Sequence, residues 1–171
     1  NKEQIDLYLK KMEYNDEIKI DYETLCKLQI AHLTHIPYEN IDVLNRKPIS
    51  LESQDLFDKM IVKARGGYCF ELNGLYSNFL KSLEFNVTNL AGRFIYQDGN
   101  TRMRLHRILK IDIDDKSYIS DVGVLSELSR KSLELEVGKV QNDGKCDYKF
   151  EYNPKQEGEY ILYQRKPKKD W

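Results

Sequence analysis

The sequence predicts an α+β protein, with a helical bundle lobe over residues 1–85 and an antiparallel β-barrel lobe over residues 86–171. Three observations carry this reading. Apolar residues recur at helical spacing as far as Leu83. From Val87 onward the pattern becomes strand-like, and Asp98-Gly99, Asp114-Asp115-Lys116 and Asn142-Asp143-Gly144 punctuate it with turn chemistry. No internal repeat or low-complexity linker separates the halves, so the change near Phe85 marks a boundary between two kinds of secondary structure.

The elements follow in order. Ile5, Leu7, Leu9 and Met12 open a short helix. Asp21 is a good N-cap for a second helix with Leu25, Leu28 and Leu33 on one side, and Pro37 ends it by pushing residue 36 out of the α region. Ser50 is placed to cap a third, buried through Leu51, Phe57, Met60 and Ile61 or Val62. In a fourth, Leu72, Leu75, Tyr76, Phe79, Leu80 and Leu83 form one apolar face. Strands are expected over 86–96, 102–113, 118–122, 147–152 and 159–164, with Trp171 either capping a local cluster or continuing into further chain.

Composition narrows the function. The 171 residues are 40% hydrophobic and 32% charged with a formal net charge of -1, which fits a globular protein and gives no basic surplus for nucleic acid or an anionic membrane. The run Arg165-Lys166-Pro167-Lys168-Lys169 reads as a solvated tail or strand end. No apolar stretch is long enough to span a bilayer, and no signal peptide is visible. Cys26, Cys69 and Cys146 are an odd number at unrelated spacings, without the Cys or His pairs of a zinc site, so free thiols in a cytoplasmic setting and no bound metal are expected.

One stretch concentrates the chemistry. In Arg65-Gly66-Gly67-Tyr68-Cys69-Phe70-Glu71-Leu72-Asn73 a cysteine follows a diglycine at or beside the start of the fourth helix. Unpaired N–H groups and the macrodipole at a helix start favour negative charge on such a sulfur. A nucleophilic cysteine also needs a base, and the base needs a group to orient it. Of His32, His35 and His106, only His106 lies in a strand, where Asp121 on the next strand is within reach whether it stands directly opposite or diagonal. A carboxylate entering an apolar strand needs a partner. Cys69, His106 and Asp121 are therefore the candidate nucleophile, base and orienting acid.

At this point the chain resembles the arylamine N-acetyltransferase family. The resemblance rests on His35-Ile36-Pro37-Tyr38-Glu39-Asn40, the Arg65–Asn73 block, Leu105-His106-Arg107 and Asp121-Val122-Gly123, in that order. It implies a helical lobe, a β-barrel lobe and a C-terminal α/β lid, the last expected to be absent from this chain. It also implies acetyl transfer from acetyl-coenzyme A through a Cys69 thioester to an arylamine, arylhydrazine or similar amine, with acetyl-coenzyme A as co-substrate and no tightly bound cofactor. Tyr38, Tyr68, Phe70 and Val124 are candidate pocket residues, and a buried Glu39–Arg65 ion pair is expected to join a loop to the active-site turn. Where the family continues Asp-Val-Gly with Phe-Gly, Val124-Leu125 stand here, which implies an aliphatic lining and a different amine preference. Two other readings share these residues: an amide synthase or transglutaminase-like enzyme using another acyl donor, and a catalytically weak scaffold or binding domain.

Overall fold

Helices come first and antiparallel sheets follow. The computed structural model describes residues 1–95, 103–124 and 129–171. Helix α1 (Lys2–Lys11) starts at Asn1, whose side chain accepts the Gln4 N–H at 2.9 Å. Helix α2 (Tyr22–His35) starts as the sequence predicts, with Asp21 accepting the Thr24 N–H at 2.8 Å, and it stops at an extended Ile36 before Pro37. A four-residue helix α3 (Ile41–Leu44) follows, too short for its periodicity to be read beforehand.

Helix α4 (Ser53–Phe57) widens into one π-helical turn over Asp58–Val62. Ser50 does not cap it. Its hydroxyl instead donates to Asp55 at 2.5 Å, while Glu52 occupies the cap position. Leu51, expected inside, is 44% exposed because it precedes the helix, and of the pair Ile61 and Val62 only Ile61 is buried. Leu7 likewise faces outward from α1. Helix α5 (Cys69–Ser82) buries Leu72, Leu75, Tyr76, Phe79 and Leu80 as the spacing predicts, and also Asn73, Gly74 and Ser77.

Strands β1 (Asn86–Gly92), β2 (His106–Ile113), β3 (Lys116–Ser120) and β4 (Leu133–Glu134) form one antiparallel sheet in that order. Strands β5 (Gln141–Asn142), β6 (Asp147–Tyr152) and β7 (Tyr160–Arg165) form a second. Both β1 and β2 are shorter than expected, and the Asp98-Gly99 turn lies outside the described residues. The β2–β3 turn is tight, with Ile113 opposite Lys116 and Asp114 at φ 51°. Strand β3 ends at Ser120, two residues early, because side chains of the helical part take over the next backbone groups, as described below. The Asn142-Asp143-Gly144 turn forms as expected, with Gly144 at φ 91° and the buried Asp143 carboxylate accepting the N–H groups of Arg130, Lys145 and Cys146.

The expected barrel resolves into these two sheets, tied together by side chains. The Gln141 amide accepts the Glu134 N–H and donates to the Glu134 carbonyl, both at 2.8 Å, imitating a ladder between β4 and β5. Beyond the other edge, Arg93 and Arg104 both meet Glu159 at the start of β7. The main core runs across residue 85: Tyr8, Leu25, Leu28, Met60, Leu72, Tyr76 and Leu80 share it with Val87, Leu109, Ile111 and Val122. A smaller core holds Leu133, Cys146, Tyr148 and Phe150. Trp171 does gather a local cluster, with Lys149 and Arg165 each over its ring at under 5 Å.

Candidate active site

The site lies where the start of α5 meets β2 and the end of β3. The diglycine permits close approach there, with neither glycine at positive φ. Gly67 forms a parallel bridge with Tyr38, accepting the Glu39 N–H at 2.9 Å. A Cβ on Gly66 would come within 2.1 Å of the Pro37 carbonyl oxygen, so only glycine lets the 37–39 segment lie against the turn. The turn in turn places Cys69 as the first residue of α5, where Leu72 N–H to Tyr68 C=O is the first hydrogen bond of the helix. Glu71 closes this end by accepting the Tyr68 N–H at 3.1 Å.

An ionic network braces the turn. Lys59, presented by the π turn, bridges Glu71 at 2.8 Å and Asp42 at 3.1 Å. The expected Glu39–Arg65 pair forms at 2.5 Å, but Arg65 also reaches Asp42 at 3.0 Å and is 38% exposed. The pair is thus part of a half-exposed network instead of an isolated buried bridge. Lys59, with Lys47 and Arg65, holds the Asp42 carboxyl down to about 2 against the opposing effect of burial.

His106, Asp121 and Cys69 come together. The register of β2 and β3 pairs Leu109 with Ser120, so Asp121 continues toward residue 108 and meets His106 diagonally. His106 Nε2 lies 2.5 Å from Asp121 Oδ2, with both side chains about 95% buried. With Nε2 occupied by Asp121, Nδ1 is the ring nitrogen left toward Cys69, which lies close enough to act on the charge of the imidazole. The Cys69 Sγ also faces the Leu105 carbonyl at 3.7 Å. Burial pulls the His106 imidazolium down, but hydrogen bonds and charge from Asp121 and Cys69 outweigh it and push its pKa up to about 9.

Two functional neighbours were not singled out by sequence reasoning. Asn73, fully buried one helical turn after Cys69, donates to Asp121 Oδ1 at 2.8 Å and to the Arg107 carbonyl at 2.6 Å, and accepts the Val122 N–H at 3.0 Å. Asp121 Oδ1 also accepts the Gly123 N–H at 2.8 Å, which leaves Oδ2 for His106. Gly123 passes so close to α5 that a Cβ there would sit 2.6 Å from Asn73 Nδ2 and 2.8 Å from Cys69 Cα. The signal available for Asn73 was its i+4 spacing from Cys69. The second neighbour is Phe94, whose ring centroid lies 5.4 Å from that of His106.

The candidate pocket residues are placed unequally. Burial raises the phenol pKa values of Tyr38 and Tyr68, and the proximity of Cys69 to both rings adds to it. Phe70 leans on Tyr68 with ring centroids 5.7 Å apart. Val124 is half-buried and directly follows Gly123.

A cysteine at a helix start, with a histidine and aspartate on neighbouring strands, is the arrangement that thiol-dependent transferases and hydrolases use. Comparison with known proteins narrows this to one family. Residues 21–171 match the N-acetyltransferase family model, and the chain belongs to the arylamine N-acetyltransferase family. It is 36% identical over 150 residues to an arylamine N-acetyltransferase / N-hydroxyarylamine O-acetyltransferase of Salmonella typhimurium, covering 87% of this chain and 52% of that protein. The solved arylamine N-acetyltransferase structure from the same organism superposes with a TM-score of 0.88 at 32% identity, over 97% of this chain and 60% of that one. The Mycobacterium marinum enzyme, solved in complex with CoA, gives a TM-score of 0.85 at 30% identity, over 94% and 60% of the two chains. The chain therefore spans about half the length of the curated relatives it matches.

Proposed function

We propose that this chain carries the acetyl-transferring centre of an arylamine N-acetyltransferase, with Cys69 as nucleophile, His106 as proton carrier and Asp121 as its orienting acid. The nucleophile comes from the helical lobe (1–85) and its partners from the β lobe (86–171). The observation that carries the reading is the buried His106, held 2.5 Å from Asp121 beside the Cys69 that opens α5.

In the first half-reaction the Cys69 thiolate adds to the thioester carbonyl carbon of acetyl-coenzyme A. Backbone N–H groups in the first turn of α5, which have no carbonyl partner within the helix, face the developing oxyanion. Collapse breaks the bond to the coenzyme A sulfur, which leaves with the proton from His106. In the second, an amine nitrogen adds to the same carbonyl carbon and passes a proton to His106 Nδ1. The bond to Sγ then breaks, restoring thiolate and imidazolium. Exchange between thioesters is nearly isoenergetic, so the acetyl group stays transferable. Val124, in place of the family's aromatic residue, supports a preference for amines that do not need ring stacking.

The test is intact mass after incubation with acetyl-coenzyme A. One acetyl group on Cys69, lost in Cys69→Ala and removed by an added arylamine or arylhydrazine, is the expected result. Labelling that persists in Cys69→Ala would overturn it. An adduct formed only with another acyl donor would favour an amide synthase or transglutaminase-like enzyme.

A further inference from the structure

The β3–β4 connection begins with Asp121 and is fastened from behind by a helix outside the catalytic cluster. Gln29, on the buried side of α2 and 1% exposed, directs both the oxygen and the nitrogen of its amide to this connection. Its Oε1 accepts the Ser120 hydroxyl at 2.6 Å and the Ser132 hydroxyl at 2.8 Å, and its Nε2 donates to the Ser129 carbonyl at 2.9 Å. Ser120 and Ser132 are both fully buried.

The pairing of Ile119 with Leu133 makes Ser120 and Ser132 the next facing pair in the β3–β4 ladder. The ladder stops before them, and one amide oxygen from α2 joins the two positions. The clamp has a second anchor on the same helix, where Tyr22 donates to the Ser132 carbonyl at 3.0 Å. Asp121 is thus the first residue beyond a fixed point. Asn73 holds it on the inner side, and Gln29 holds the residue before it.

We propose that Gln29 is a positioning residue for the Asp121 carboxylate, acting through the Ser120–Ser132 pair. The proposal rests on the reading of His106 and Asp121 as working partners. Its consequence is specific: without the clamp, Asp121 Oδ2 no longer sits within hydrogen-bond distance of His106 Nε2. His106 faces Asp121 and Cys69, together with the Phe94 ring, so weakening the Asp121 contact leaves burial to dominate its protonation.

The experiment uses this chain in two variants. Gln29→Leu removes the clamp and strands two buried hydroxyls. Gln29→Met with Ser120→Ala and Ser132→Ala removes both sides, sparing most of the cost of unpaired groups. The readouts are the His106 imidazole titration by NMR and the rate of Cys69 alkylation by iodoacetamide at pH 7. In both variants the His106 transition is expected to move down from about 9, and alkylation to slow by about ten- to a hundredfold. If Gln29→Leu does not fold, the triple variant alone decides. A stable triple variant with a lowered transition and slow alkylation supports positioning. A variant that folds with both readouts at parental values overturns it. If His106 shifts while acetyl labelling of the parent fails, the clamp stands and the acetyl-transfer reading falls.

Discussion

Two buried histidines in this molecule sit in opposite charge states. His32, on α2, is fully buried, and its Nδ1 meets the Tyr8 hydroxyl at 2.8 Å while its Nε2 has no partner among the described residues. Burial alone pushes its pKa down to about 3. His106, almost as buried, is pushed up to about 9. What separates them is the partner: a phenol that remains neutral against a carboxylate 2.5 Å away, with the Cys69 sulfur close enough to add to its effect. Burial does not set the charge of an imidazole by itself; it amplifies whatever its neighbours supply.

The largest effect comes from making the two sites alike. Asp121→Asn retains shape but removes the charge that opposes burial at His106. Cys69 alkylation and acetyl labelling are expected to fall by about 10²–10⁴-fold, with the His106 transition moving toward that of His32. Alkylation rates of Cys69 and Cys26 in the same sample check this. Burial pushes the Cys26 thiol up, so Cys26 is the slow internal reference. An unchanged Cys69 rate would remove Asp121 from the mechanism.

The same contrast divides the pH dependence of stability. The raised pKa of His106 contributes stability that is complete below the ordinary histidine value, about 6.5. That contribution is lost as pH rises toward about 9. The lowered pKa of His32 works the other way: the unfolded chain takes a proton below about 6.5, and the folded one resists until about 3. Stability therefore falls on the acid side through His32 and on the alkaline side through His106, each limb approaching about 1.4 kcal/mol per pH unit. Denaturant titrations of His32→Gln and Asp121→Asn from pH 4 to 10, taken as differences from the parent, should flatten the acid and the alkaline limb respectively.

Little of this contrast was legible before the fold. The Cys69–His106–Asp121 set was, because a diglycine, a helical stripe and two adjacent strands are local signals. The boundary of α2 was also legible, since Asp21 and Pro37 act on their own backbone neighbours. The amides that hold the site were not. Asn73 and Gln29 interrupt apolar stripes, and a polar residue at such a position looks like a solvent-facing one until another element arrives to pair with it. Leu51 fails for a related reason: with Ser50 spent on Asp55, the helix begins later and leaves it outside. The ladder-like contacts of Gln141 lie beyond pattern reading too, since a side chain there stands in for a strand.

A smaller effect tests the neutral histidine. Tyr8→Phe removes the hydroxyl that serves His32 Nδ1 and leaves both ring nitrogens buried without partners. A loss of about 1–3 kcal/mol in unfolding free energy is expected, measured by denaturant titration at pH 7. The Phe79 ring stacked on Tyr8 at 4.0 Å keeps its neighbour, so packing is preserved. Cys69 alkylation should stay at the parental rate, because the hydrogen bond and ring contacts of Tyr8 and His32 run to each other, Phe79 and Tyr76. A coupled loss of reactivity would mean that the two buried histidines are not independent.

His35 supplies the smallest effect and the calibration. Its Nδ1 meets the Ala31 carbonyl at 2.9 Å within α2, and its Nε2 lies 3.6 Å from Glu13, whose side chain is 79% exposed. Water competes for that carboxylate, and the pair lacks the low-dielectric surroundings that strengthen the His106–Asp121 contact. His35→Ala should therefore cost less than about 1 kcal/mol and leave Cys69 reactivity unchanged. Added salt should shrink even that difference, while it leaves the shielded Asp121 effect largely intact. If His35→Ala instead matched Asp121→Asn in either readout, burial would not be what gives the His106–Asp121 contact its strength.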